Sequence, residues 1–92
     1  MAVKTATVTV TDEPTRLNLP ETDQRSGYSM SVLNTGEEPV FVGGPDVTSD
    51  GEHQGRELAP EGLFECDLHT GEDLWAVTAS GTSPVHVFQT GT

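Results

Sequence analysis

The sequence predicts an all-β protein: one domain over residues 1–92, folded as an antiparallel β-sandwich of jelly-roll type with about seven or eight short strands. Three observations predict it. Ten glycines and six prolines punctuate 92 residues at short intervals. The runs between them are rich in Val, Thr, Phe and Tyr, and several alternate with a period of two. No long stretch is free of Gly, Pro or a β-branched residue, so there is little room for a helix.

Ala6 to Thr11 opens the fold. Ala6, Val8 and Val10 share one face, and Thr5, Thr7, Thr9 and Thr11 the other, as in a half-buried strand with a solvated threonine ladder. Residues 1–12 are expected either as this first strand or as an arm that pairs with a neighbouring subunit. Asp12-Glu13-Pro14 ends it. Thr15 to Leu19 reads as a second strand, with Leu17 and Leu19 on one face, closed by Pro20. Residues 21–27 are polar and predict a loop. Tyr28 to Asn34 and Val40 to Val42 read as a hairpin joined through Asn34-Thr35-Gly36-Glu37-Glu38-Pro39, which is turn chemistry. Gly43-Gly44-Pro45 breaks the strand, and a polar loop follows to about Arg56. Glu57-Leu58 is too short to assign. Leu63 to His69 is a further strand, entered by Pro60-Glu61-Gly62 and left by Thr70-Gly71. Leu74 to Ala79 and Val85 to Thr90 read as a closing hairpin. The expected core is Val8, Val10, Leu17, Val32, Val42, Phe64, Leu68, Trp75, Val77 and Val87.

Charge excludes whole classes of function. Fifteen acidic residues against four basic ones give a net charge of −11, and no Lys or Arg follows Arg56. Phosphate backbones and anionic membranes attract the opposite sign, so binding to nucleic acid or to a membrane surface is excluded. The excess suits a basic partner, a solvated surface or a high-salt environment. Met1-Ala2-Val3-Lys4 opens no apolar run of signal-peptide length, which predicts synthesis in a cytoplasm and a soluble product.

Short chains bury thin cores and lean on supplementary stabilisation. Cys66 is the only cysteine, which leaves no disulfide within a chain and points to oligomerisation. The strands agree. Val40 and Val42 alternate with Phe41, Leu74 and Ala76 with Trp75 and Val77, and Val85 and Val87 with Phe88. Apolar residues on both faces mean burial on both faces. A partner subunit is the economical cover, with Val40, Phe41, Trp75 and Phe88 as the expected interface, and scattered surface hydrophobics as the plain alternative.

No enzyme is specified, and neither a catalytic nor a cofactor-binding residue is assigned. Asp46 to Glu57 approximates a calcium loop, with oxygen side chains at its first, third and fifth positions, Gly51 at the sixth and Glu57 at the twelfth. Gly43-Gly44-Pro45 cannot supply the leading helix. A polar turn is therefore the default and no metal is expected, with Asp46, Asp50 and Glu57 the residues to watch. His53, His69 and His86 have no metal-ligand spacing. Cys66 lies in phase with Phe64 and Leu68 and has acidic neighbours, which suits a small core residue and not a thiolate nucleophile. No nucleophile elbow or phosphate loop is present.

Particular runs resemble a known family. They are Val32-Leu33-Asn34-Thr35-Gly36, Pro39-Val40-Phe41-Val42-Gly43-Gly44-Pro45-Asp46-Val47-Thr48, Leu58-Ala59-Pro60-Glu61-Gly62-Leu63-Phe64, Gly71-Glu72-Asp73-Leu74-Trp75-Ala76-Val77 and Val85-His86-Val87-Phe88-Gln89-Thr90-Gly91. They are spread over residues 32–91, about two thirds of the chain. They resemble small all-β virion proteins, capsid decoration or head-associated, of tailed viruses of actinobacteria and archaea. The resemblance implies a structural protein on the capsid surface, made in the host cytoplasm, that binds the major capsid protein. The two-sided strands point to self-association, and analogy with the quasi-three-fold junctions of an icosahedral shell makes a homotrimer the expected oligomer. The resemblance carries no catalytic residue. The alternative is a tail or head-fibre accessory domain that meets a host-surface glycan through Trp75 or Tyr28, and a third reading is a cellular β-sandwich binding module.

Overall fold

The computed structural model describes residues 2–17, 28–69 and 72–91. Among them are eight strands and no helix: β1 (Ala2–Val10), β2 (Thr15–Arg16), β3 (Tyr28–Asn34), β4 (Val40–Gly43), β5 (Arg56–Leu58), β6 (Leu63–Leu68), β7 (Trp75–Thr78) and β8 (Ser83–Gly91). They form two four-stranded antiparallel sheets, ordered β1-β8-β3-β6 and β2-β7-β4-β5.

This order is the jelly roll. β1 pairs with β8, β2 with β7, β3 with β6 and β4 with β5, as though one long antiparallel ribbon had been rolled up. The chain changes sheet at every connection except β4 to β5. Two sequence expectations are corrected here. β3 and β4 do not form a hairpin, and neither do β7 and β8, because the members of each couple lie in opposite sheets. A short turn reverses the chain in both arrangements. What distinguishes them is whether the following strand pairs beside its predecessor or is carried across to the facing sheet.

The strand bounds shift as well. β1 begins earlier than the alternation suggested and pairs in unbroken register with β8, from Ala2 opposite Gly91 to Val10 opposite Ser83. Its partner is therefore a strand of the same chain. β2 is described only as Thr15–Arg16, with Leu17 fully buried behind it. Leu19, Pro20, the expected loop 21–27 and the Thr70-Gly71 turn lie outside the described residues. The segment too short to assign is β5.

Between the sheets lies one core to which every strand but β2 contributes, β6 only through the half-buried Phe64, Cys66 and Leu68 packed against it. Val10, Met30, Val32, Val40, Val42, Leu58, Ala76, Val85 and Val87 are buried there, joined by Leu17 and Leu74 from the segments beside β2 and β7. Six of the ten expected core residues are buried: Val10, Leu17, Val32, Val42, Val77 and Val87. Val8, Phe64, Leu68 and Trp75 are only half-buried. The first three sit on β1 and β6, the two edges of the first sheet, where side chains have a strand neighbour on one side only. Trp75 lies on the outer side of the second sheet.

Candidate functional site

Asn34 anchors one end of the sandwich. It is fully buried at the end of β3, and its carboxamide makes four hydrogen bonds. Nδ2 donates to the carbonyls of Glu38 (2.8 Å) and Leu58 (3.0 Å). Oδ1 accepts from the Gly36 amide (3.1 Å) and from Ser83 Oγ (2.8 Å). Every lone pair and proton of the amide is used, as burial requires. This is a fastening between segments and not a reaction centre.

The loop from Gly44 to Gly55 explains the two-sided hydrophobicity of the second sheet. Its amides close on its own carbonyls: Val47 to Gly44, Thr48 to His53, Gln54 to Gly51 and Gly55 to Thr48. Val47, the lone apolar residue of the loop, is buried with Phe41 and Val77, and Trp75 packs half-buried beside them. The second face of β4 and β7 is thus covered by the protein's own loop. Gly55 makes the approach possible, because a Cβ there would meet the Val42 carbonyl oxygen at 2.5 Å and the Val42 amide nitrogen at 2.9 Å.

The expected interface residues therefore separate. Val40 is withdrawn, since it is 0% exposed between the sheets and can touch no partner. Phe41 is buried under the loop, and Trp75 is half-covered by the same cluster, which leaves neither as an open anchor. Phe88 is different: it is 42% exposed.

The three carboxylates with calcium-loop spacing also separate. Asp46 lies 3.4 Å from His53 Nδ1, both well exposed. The backbone carbonyl of Asp50 accepts the Thr48 hydroxyl. Glu57 stands exposed on β5, opposite Phe41. Among the described residues no three His, Cys, Asp or Glu side chains converge as metal ligands. Cys66 packs against the core from β6, and burial, with Asp67 and Glu72 beside it, pushes its thiol pKa up. The neutral thiol is favoured, the opposite of what a nucleophile needs.

A single surface remains distinctive: the outer face of the first sheet. By alternation and register it carries Val3, Thr5, Thr7 and Thr9 of β1, His86, Phe88 and Thr90 of β8, Ser29, Ser31 and Leu33 of β3, and Leu63, Glu65 and Asp67 of β6. The exposed large hydrophobics of the described residues are Val3 (55%), Leu63 (58%) and Phe88 (42%), and all three lie here. β1, β3 and β8 contain no Asp or Glu, although the chain has fifteen. Lys4 falls on the opposite side of β1 by alternation. Carboxylates enter only at the β6 margin, where Ser31 Oγ donates to Glu65 (3.4 Å) and Ser29 Oγ to Asp67 (2.6 Å).

Phe88 was legible in the sequence as an apolar residue out of phase with Val85 and Val87. Val3 and Leu63 were not. Their facing is set by registers that join distant segments, Leu63 opposite Leu33 and Val3 opposite Thr90. Comparison with protein-family models, with curated proteins and with solved structures finds no match.

Proposed function

We propose that the protein is a non-enzymatic assembly module: a structural component of a tailed-virus particle that decorates and stabilises the capsid shell, docking on the major capsid protein as an oligomer. One observation carries this reading. In a chain of net charge −11, the exposed large hydrophobics gather on a single sheet face whose three adjacent strands hold no carboxylate. An apolar patch with depleted charge suits burial against a macromolecule. The acidic remainder suits a basic partner and keeps the unassembled subunit in solution. A jelly roll hosts many roles, so the fold is compatible with the proposal without selecting it. The viral particle itself comes from the resemblance in the runs Val32–Thr48 and Leu58–Gly91.

Co-sedimentation with purified empty capsids of the encoding virus tests the reading. Saturable binding is expected, weakening with salt where the acidic surface contributes. Particles lacking the protein should break at lower temperature and under milder osmotic shock. Failure to bind shells, with mutant particles as robust as the parent, would remove the proposal.

A further inference from the structure

We infer that the outer face of the first sheet is occupied by a second copy of this chain, in a face-to-face pair centred on Phe88. The inference rests on reading that face as an assembly surface and names its partner.

Charge selects the partner. Two molecules of net charge −11 repel each other over most approaches. The repulsion is least where β1, β8 and β3 lie side by side, since these strands hold no carboxylate. A basic partner would find carboxylates only at the β6 margin, where Glu65 and Asp67 already accept from Ser31 and Ser29, whereas a second copy matches the uncharged strands. Area agrees. Strands of nine, nine, seven and six residues, spaced about 4.8 Å apart and rising about 3.3 Å per residue, make a face of roughly 490 Å². Two such faces bury roughly 980 Å², the size of a weak, transient interface. A reversible pair is the outcome that size supports.

The geometry also chooses an orientation. The carboxylates of Glu65 and Asp67 lie along the β6 edge, and the threonines of β1 along the other. A two-fold axis parallel to the strands stacks the β6 edge of one copy over the β1 edge of the other. The two acidic margins are then kept apart, and the ring of Phe88 on β8 faces the small Ser31 on β3 of the second copy. A flat face of this kind is satisfied by one copy, so we infer a two-fold pair here and not the homotrimer expected by analogy with an icosahedral shell.

Sedimentation equilibrium on the full chain across the micromolar to millimolar range tests the pair. Monomer and dimer are expected in exchange, with the dimer strengthened by added salt as repulsion is screened. Phe88→Ser and Leu63→Ser should each weaken the dimer about tenfold or more. Both positions are exposed, so an unchanged circular dichroism spectrum and melting temperature show that folding is intact. Glu57→Gln, on the other sheet, should leave the dimer unchanged. A protein that stays monomeric throughout, a trimer, or a dimer indifferent to both substitutions overturns the inference. Capsid binding by the same variants separates it from the proposed function. A Phe88→Ser protein that still dimerises but no longer binds shells assigns the face to the shell and overturns the pair alone. A wild-type protein that dimerises through this face and binds no shell supports the pair while removing the shell role.

Discussion

Ser83 Oγ donates to Asn34 Oδ1 at 2.8 Å in the buried end of the sandwich, joining the start of β8 to the end of β3. The same carboxamide holds Glu38 and Leu58, so one side chain ties four segments together. Asn34→Asp should destabilise the protein by about 3 kcal/mol or more at neutral pH, because a carboxylate then faces two carbonyls that need a donor. Part of that loss should be recovered in acid, where the neutral carboxyl can donate once. Ser83→Ala should cost about 1 kcal/mol, since Oδ1 keeps the Gly36 amide. Urea denaturation of both variants at two pH values checks the order.

Gly55 is expected to tolerate no side chain. A Cβ would meet the Val42 carbonyl oxygen and amide nitrogen of β4, which cannot move aside, and the Val47 side chain of the loop itself. Gly55→Ala should cost about 2 kcal/mol and lift the loop from Phe41, Val77 and Trp75. Trp75 is the only tryptophan, so its fluorescence should shift to longer wavelength. Gly44→Ala is the control, with its nearest contact an ordinary 3.6 Å from Asp46, and should change stability by less than about 0.5 kcal/mol.

Glu61 adopts φ of 67°, a left-handed conformation that L side chains resist. It turns the chain between β5 and β6, its amide donating to the Asn34 carbonyl at 2.8 Å. Glu61→Gly should relieve the strain, keep that bond, and stabilise the fold by about 0.5–1 kcal/mol. Calorimetry should find the melting temperature raised by a few degrees.

The Cys66 thiol should react slowly with disulfide reagents near pH 8 and quickly once the protein is unfolded. Burial, with Asp67 and Glu72 nearby, raises its folded pKa above the unfolded one. Between those two values the unfolded chain has lost a proton that the folded chain retains. Stability should therefore be unaffected by this group below the unfolded pKa and fall as pH rises above it. Cys66→Ser should flatten that alkaline slope in pH-dependent denaturation.

Much of this architecture could be read from residue order alone, because strand periodicity and turn chemistry are local. The alternation in β1, the breaks at Pro14 and Gly43-Gly44-Pro45, and the doubly apolar character of β4 and β7 each depend on a few neighbouring residues. The hairpins failed for the same reason. Asn34-Thr35-Gly36 specifies a reversal, but the sheet that receives the next strand depends on contacts from elsewhere in the chain. Of the candidate surface, the threonines of β1 and Phe88 were legible, and Val3 and Leu63 were not.

What the sequence determined by itself was composition and local pattern: an acidic chain with one cysteine, no helix and short alternating strands. The tertiary structure decided what covers each apolar face. Val47 reaches Phe41 and Val77 because Gly55 lets its loop lie against β4, so one doubly apolar sheet is completed from within. Nothing in the described residues does the same for Phe88, Leu63 and Val3, whose common face exists only through the long-range registers of β1 with β8 and β3 with β6. Pairing across such separations is set by the closure of the whole sandwich, which no local run of residues encodes.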